Sequence, residues 1–245
     1  MKAFSPGSRA AQPGRRVRCG LGAAASIAAL TTMTVVPAHA QASKAAEDPT
    51  KISTRVGLSY SDEASVSGSF AFGEKFKING RISESGLWSA GASYLFPVAI
   101  LTFSAARSSF DSGVEQTRYS LGGFVPLNDL GVETGQWRLF VPFGYTYTSG
   151  HGPVLEEDAS DVMPIEMSSN SGYFGVFAMR PISDRLTFLA GANVSAGTND
   201  FSGFGVSGGL SYHLTARDTL GLQAGYVDNS FGQNQKVTIS YRHEF

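Results

Sequence analysis

From Ile52 to the C-terminus, apolar and polar residues alternate with a period of two, the repeat of an extended strand rather than of a helix. The last segment, Lys236 to Phe245, shows it most cleanly. Val237, Ile239, Tyr241 and Phe245 share one face with His243, while Lys236, Thr238, Ser240, Arg242 and Glu244 share the other. A strand with one apolar and one strongly polar face separates oil from water. The same alternation, punctuated by turn residues, predicts strands at 52–60, 64–73, 75–84, 87–96, 100–110, 117–125, 136–147, 171–180, 185–195, 203–214, 218–228 and 235–245. Most are close to the ~10 residues that cross a bilayer at a tilt of ~45°. The expected fold class is all-β: a transmembrane, up-and-down antiparallel β-barrel of about 12 strands, an even number that brings both ends to one side.

The connections support that orientation. Gly73-Glu74, Phe96–Ala99, Pro181–Asp184 and Thr215–Arg217 are tight turns after even-numbered strands, whereas the longest connection, 148–170, follows an odd-numbered one. Short turns on one side and long loops on the other mark an outer-membrane barrel. The segment 126–135 is the exception, being long for a periplasmic turn. Aromatic residues fall where interfacial girdles belong, with Trp137, Tyr94 and Phe96 at the inner interface and Trp88, Tyr145 and Tyr147 at the outer one. Pro142 lies inside a strand, where its missing N–H predicts a bulge or a break. Arg107 falls in phase with Leu101 and Phe103 on the lipid face, near the outer end of its strand.

The first forty residues are a separate object. Residues 1–18 carry Lys2, Arg9, Arg15, Arg16 and Arg18 and no acid; an apolar stretch follows, then Pro37-Ala-His-Ala40. This is the form of a secretory signal peptide, residues 1–40, with cleavage expected before Gln41. The whole chain balances 19 Lys+Arg against 20 Asp+Glu. Without the five basic residues of the leader, 14 basic residues face 20 acidic ones, a net charge of −6, and Cys19 is gone as well. An exported domain without disulfides needs another source of stability, and a closed sheet in a membrane is one. Only 16% of the residues are charged and 11% are aromatic, which argues against a disordered chain. Nothing in the charge balance favours nucleic acid. Gln41–Lys51 reads as a short, disordered periplasmic stub ahead of a barrel spanning 52–245.

The leader, the alternating segments and the terminal Phe245 together resemble a Gram-negative, porin-like outer-membrane β-barrel protein. In that family a last strand ending in Phe, with aromatic residues two and four positions earlier, acts as the barrel-assembly signal. Tyr241 and Phe245 match that signal, and His243 stands where a hydrophobic or aromatic residue is usual. The resemblance implies location in the cell outer membrane, contact with its lipids and lipopolysaccharide, and recognition of the C-terminal strand by the barrel-assembly machinery. It identifies no subfamily.

Function has to be read from lumen and loops. By phase, Arg55, Lys75, Lys77, Arg81, Arg118, Arg138, Lys236 and Arg242 face inward, with Arg185 and His213 near the inner rim. Glu244 is the one acid among the inward strand positions; the rest are largely Ser, Thr, Gly, Asn and Gln, with Phe124 and Phe140 as exceptions. A watery lumen walled by cationic groups lowers the energy of an entering anion. Arg55, Lys77, Arg81, Arg118 and Arg138 are the candidate solute-binding residues of a monomeric channel for small hydrophilic solutes, anions preferred. Glu156, Glu157, Asp158 and Asp161, with Glu166, form an acidic cluster in 148–170, which either folds into the lumen or points outward. Their spacing lacks the pattern of a calcium loop. Neither a cofactor nor a dedicated metal site is expected, nor an enzyme: His151 with Ser149 resembles no hydrolase motif. The alternatives are a non-conducting structural or adhesive barrel, an autotransporter-type barrel and an outer-membrane hydrolase. For an autotransporter, Gln41–Lys51 is too short to hold a passenger and its threading helix.

Overall fold

The computed structural model describes residues 44–109, 115–153 and 164–245. The signal peptide and the acidic cluster Glu156, Glu157, Asp158 and Asp161 lie outside the described residues. The first half of the barrel is built from β1 (Arg55–Tyr60), β2 (Ala64–Phe72), β3 (Phe76–Ser83), β4 (Trp88–Leu95), β5 (Ile100–Ser109) and β6 (Glu115–Pro126). The second half comprises β7 (Arg138–Pro153), β8 (Pro164–Pro181), β9 (Leu186–Gly197), β10 (Ser202–His213), β11 (Asp218–Asn229) and β12 (Gly232–Glu244). Every strand pairs antiparallel with its neighbours in sequence, and β1 pairs with β12, so the 12-stranded sheet closes on itself. Closure leaves no unpaired strand edge, the condition for crossing hydrocarbon with strands.

The period of two sorts the side chains. Outside, Leu58, Phe174, Val194, Val237 and Ile239 are all more than half exposed, an apolar surface of the kind that marks contact with a membrane or another protein. Inside, the facing positions are small and polar, and hydroxyls link neighbouring strands: Ser59 to Ser65 at 2.8 Å, Ser93 to Thr102 at 2.9 Å and Ser120 to Thr146 at 3.0 Å. At the inner girdle Trp137 packs edge-on to Phe188 with the Arg180 guanidinium 5.6 Å from its ring centre. Arg107 does face outward, where it forms an ion pair with Glu115 on the adjacent strand.

Two details depart from the sequence reading, and the expectation at Pro142 is met by one of its two forms. The hairpin β7–β8 continues its ladder from Thr148↔Ser169 to Pro153↔Pro164, so most of the expected loop 148–170 is strand and the connection shrinks to 154–163. Backbone pairing proceeds there without hydrophobic alternation, because ladder hydrogen bonds do not depend on which side chains flank them. The inner connection 127–137, with a 3-10 turn at Asn128–Leu130, is then as long as any described outer connection. Loop length therefore loses its value for orientation, which rests on the girdles and the termini. At Pro142 the β7–β8 ladder is interrupted between Phe140↔Phe177 and Phe143↔Phe174 with no residue inserted: a break, without a bulge.

The second departure is at the N-terminus. β1 begins at Arg55, and residues 44–51, part of the segment expected to form a disordered stub, lie inside the inner mouth of the barrel. Asp48, Thr50, Lys51 and Ile52 are each less than 10% exposed. Beside this strap, Phe140, Met179 and Leu189 form an inward-facing apolar cluster, with Phe124, Phe177 and Ala45 of the strap packed against it. The strap is ordered because it has both acids to meet the basic wall and apolar atoms to meet this cluster. Neither partner set is visible until the sheet has closed.

Candidate functional site

Two polar chambers occupy the lumen. The first, about 290 Å³, runs beside the strap and is lined by Arg55, Lys77, Asn79, Arg81, Thr102 and Arg242 among others. Register explains the grouping, since Ser67↔Arg81 and Ala71↔Lys77 place both cations on the inner face of β3, across from β2. Lys77 is buried and donates to the Lys51 carbonyl at 2.6 Å. Arg81 donates through Nε and Nη2 to the Ser65 hydroxyl, at 3.0 and 2.8 Å. A neutral hydroxyl leaves the Arg81 charge without an ion pair among the described residues.

The second chamber, about 310 Å³, is lined by Gln116, Arg118, Thr148, Tyr173, Asn193 and other hydroxyl and amide residues. Arg118 points inward, opposite Thr148, and is exposed to the lumen. Among the described residues it forms no ion pair and no hydrogen bond. Tyr173 reaches this chamber by lying flat over β6 and β7. A Cβ added at Gly122 would sit 2.0 Å from the Tyr173 hydroxyl oxygen, and one at Gly144 would sit 2.6 Å from it. Two glycines on adjacent strands, paired as Gly122↔Gly144, thus form the bed of one ring.

Arg138 lies elsewhere. Its guanidinium is 3.4 Å from the fully buried carboxylate of Asp48 in the strap. Glu47, also buried, stands 3.5 Å from His213 Nε2 and 3.9 Å from Arg242, and accepts a hydrogen bond from Ser211. Lys51 pairs with Glu244 at 2.7 Å. A buried carboxylate needs such partners, because leaving water without them costs several kcal/mol, on the order of the penalty for any desolvated ion. The strap therefore compensates part of the positive charge of the inner mouth; Arg55 and Lys77 there, and Arg81 and Arg118 further out, have no ion pair among the described residues. Sequence reasoning missed Glu47 and Asp48 as members of the site. The available signal was a pair of adjacent acids just ahead of a barrel whose inner wall is basic.

At the outer end, Phe201 and Phe231 from two connections bury against each other with ring centres 5.5 Å apart. The Asn234 amide donates to the Ser109 carbonyl at 3.1 Å, joining β12 to β5. The two ends of the lumen are thus built differently, one by charge and one by aromatic contact. Among the described residues, no three His, Cys, Asp or Glu side chains converge as a metal site would need.

Tyr241 on β12 and Phe245, just past its end, are both exposed on the outside. The Tyr241 hydroxyl donates to Asp218 Oδ1 at 2.6 Å, and His243 Nδ1 meets the same oxygen at 2.8 Å. His243 stands where an apolar residue is usual because Asp218 is its register partner. Its ring also stacks edge-on against Phe245, whose N–H donates to the Thr54 carbonyl at 3.0 Å. Asp218→Ala should lower the urea midpoint of unfolding, and Asp218→Asn, which keeps an acceptor, should lower it less. Equal midpoints for wild type and Asp218→Ala would remove this cluster from barrel closure.

Neither a family model nor a curated protein matches this chain. Among solved structures, the translocator domain of the autotransporter NalP from Neisseria meningitidis matches with a TM-score of 0.57 and 15% identity, covering 81% of this chain and 90% of that one. The β domain of the Bordetella autotransporter Brka gives 0.49 and 12%, over 80% and 100% of the two chains. The NanC porin gives 0.46 and 13%, over 78% and 98%. At these identities the likeness is one of fold: the chain has the closed antiparallel architecture of outer-membrane β-barrels.

Proposed function

We propose that this protein is a porin-like channel of the outer membrane for small hydrophilic solutes, with a preference for anions. One observation carries the reading: the inward acids on the described residues, Glu47, Asp48 and Glu244, are all paired with cations, while Arg81 and Arg118 face the lumen without a counter-charge. Low-dielectric walls focus that residual positive field on the water between them. The leader 1–40 delivers the chain, the apolar exterior meets lipids and lipopolysaccharide, and β12 with Tyr241 and Phe245 is the segment handed to the assembly machinery. The barrel works as a monomer, without a cofactor or a catalytic residue.

A second reading has its own support. The strap and the Phe140–Met179–Leu189 cluster pack together inside the inner mouth, as they would in a non-conducting structural barrel. The deciding measurement is conductance and reversal potential of the full chain, purified after export, in a planar bilayer under a salt gradient. Current with an anion-signed reversal potential is expected. A folded barrel that stays silent even after the strap is removed would leave the structural reading.

A further inference from the structure

The strap is fastened to the wall by side chains and scarcely by backbone. Within it, the backbone hydrogen bonds are local: Asp48 N–H to the Ala45 carbonyl and Lys51 N–H to the Asp48 carbonyl. Wall side chains reach two of its carbonyls, Arg55 and Arg242 both donating to Ala46 at 3.4 Å and Lys77 to Lys51 at 2.6 Å. No strand pairing with the barrel involves residues 44–51. Beyond the Ala45 contact, Glu47 and Asp48 are held by their ion pairs, by the Ser211 hydroxyl donating to Glu47 Oε1 and, within the strap, by the Thr50 N–H and hydroxyl donating to Asp48 Oδ1. Even that fit is incomplete, since Glu47 Oε2 and Asp48 Oδ2 are buried without a hydrogen bond and their cations stand at 3.4–3.9 Å, beyond the 2.7–2.9 Å typical of a charge-assisted hydrogen bond.

We infer that the inner mouth is a binding site for polycarboxylates, and that residues 44–51 occupy it as a tethered, displaceable stand-in for such a solute. Two carboxylates on adjacent residues meet two separate guanidinium groups, Arg242 at Glu47, with the His213 ring and the Ser211 hydroxyl beside it, and Arg138 at Asp48. Arg55 and Lys77 complete the basic surround, and the one acid of the wall there, Glu244, is already taken by Lys51. A free solute with two or three carboxylates on a short carbon frame presents the same charges and can approach more closely than a chain restrained by its own backbone. Its binding expels the strap and opens the mouth. A monocarboxylate satisfies only half of the site.

The test reads strap position directly. In the full chain with Cys19→Ser, a single cysteine at Ala46→Cys is labelled with a bulky polymer-linked maleimide. The seated strap should protect it. Glu47→Gln with Asp48→Asn should raise the labelling rate about tenfold or more, as expected when a buried ion-pair set is broken. Arg138→Gln with Arg242→Gln should do the same from the wall side, which guards against a folding defect peculiar to one variant. Citrate should accelerate labelling of the otherwise wild-type chain beyond chloride of equal ionic strength, and acetate should not. Rapid labelling without any solute, equal rates for both double variants and the parent, or citrate no better than chloride would each overturn the proposal. Labelling does not depend on current, so a silent bilayer with citrate-sensitive labelling would remove the channel reading and leave this one standing.

Discussion

Changing Arg81 and Arg118 together to Glu is expected to convert an anion-preferring lumen into a cation-preferring one. In water, unit charges ~5 Å apart interact with about 0.8 kcal/mol, so reversing one wall charge shifts a passing ion by about 1.7 kcal/mol before screening. That is on the order of tenfold in relative permeability for each residue at low salt, and less where the Debye length shrinks to ~10 Å at 0.1 M. The two sites should contribute separately, since they line different chambers and share no partner. Arg138→Glu should behave differently. Its guanidinium is committed to Asp48 at the inner mouth, so reversal places two carboxylates together and drives the strap outward. The expected result is a larger conductance with little change in ion preference. Reversal potentials of the three variants, taken at two salt concentrations, separate these outcomes. An unchanged reversal potential for the Arg81 and Arg118 double variant would mean that ions do not pass these residues.

Placing a valine at Gly122 is expected to have the largest effect on the fold. Its Cβ would lie 2.0 Å from the Tyr173 hydroxyl and 2.5 Å from the Phe143 carbonyl, closer than any real contact. The Tyr173 ring can be moved only at the expense of the chamber it lines, and the carbonyl belongs to the paired strand β7. Overpacking of this kind costs about 1–3 kcal/mol in soluble cores, and here a ladder must yield as well. Gly122→Val should therefore fold poorly and unfold at lower urea. Adding Tyr173→Ala should restore part of the loss but not all of it, because the clash with Phe143 remains. Full rescue would assign the whole effect to the ring; a Gly122→Val barrel as stable as wild type would mean that Tyr173 does not rest on that bed.

Each strand was legible because its evidence is local. Lipid on one side and water on the other impose a choice on every residue, and the period of two records that choice without reference to any distant part of the chain. The last strand illustrates this: Val237, Ile239 and Tyr241 announce their face within a few residues, and the structure places them on the lipid side. The inward phase of Arg55, Lys77, Arg81, Arg118 and Arg138 came from the same local rule. What the phase could not supply was the state of each charge. Arg118 and Arg138 are indistinguishable by pattern, yet one stands free among the described residues and the other is paired with Asp48.

The strap shows the limit most clearly. Read alone, residues 44–51 lack a repeat, and their acids sit where a solvated tail would carry them. Their place depends on Arg138 and Arg242, far along the chain, and on the apolar cluster formed by β7, β8 and β9. The same holds for Tyr173, whose bed consists of glycines on two other strands, and for His243, whose acid partner lies on β11. Local alternation is enough for the class of fold, a strand count of about twelve and the apolar face of each strand, because solvent acts on one residue at a time. Only the tertiary structure decided which charges are neutralised and what occupies the inner mouth, because those depend on pairs of residues that closure of the sheet brings together.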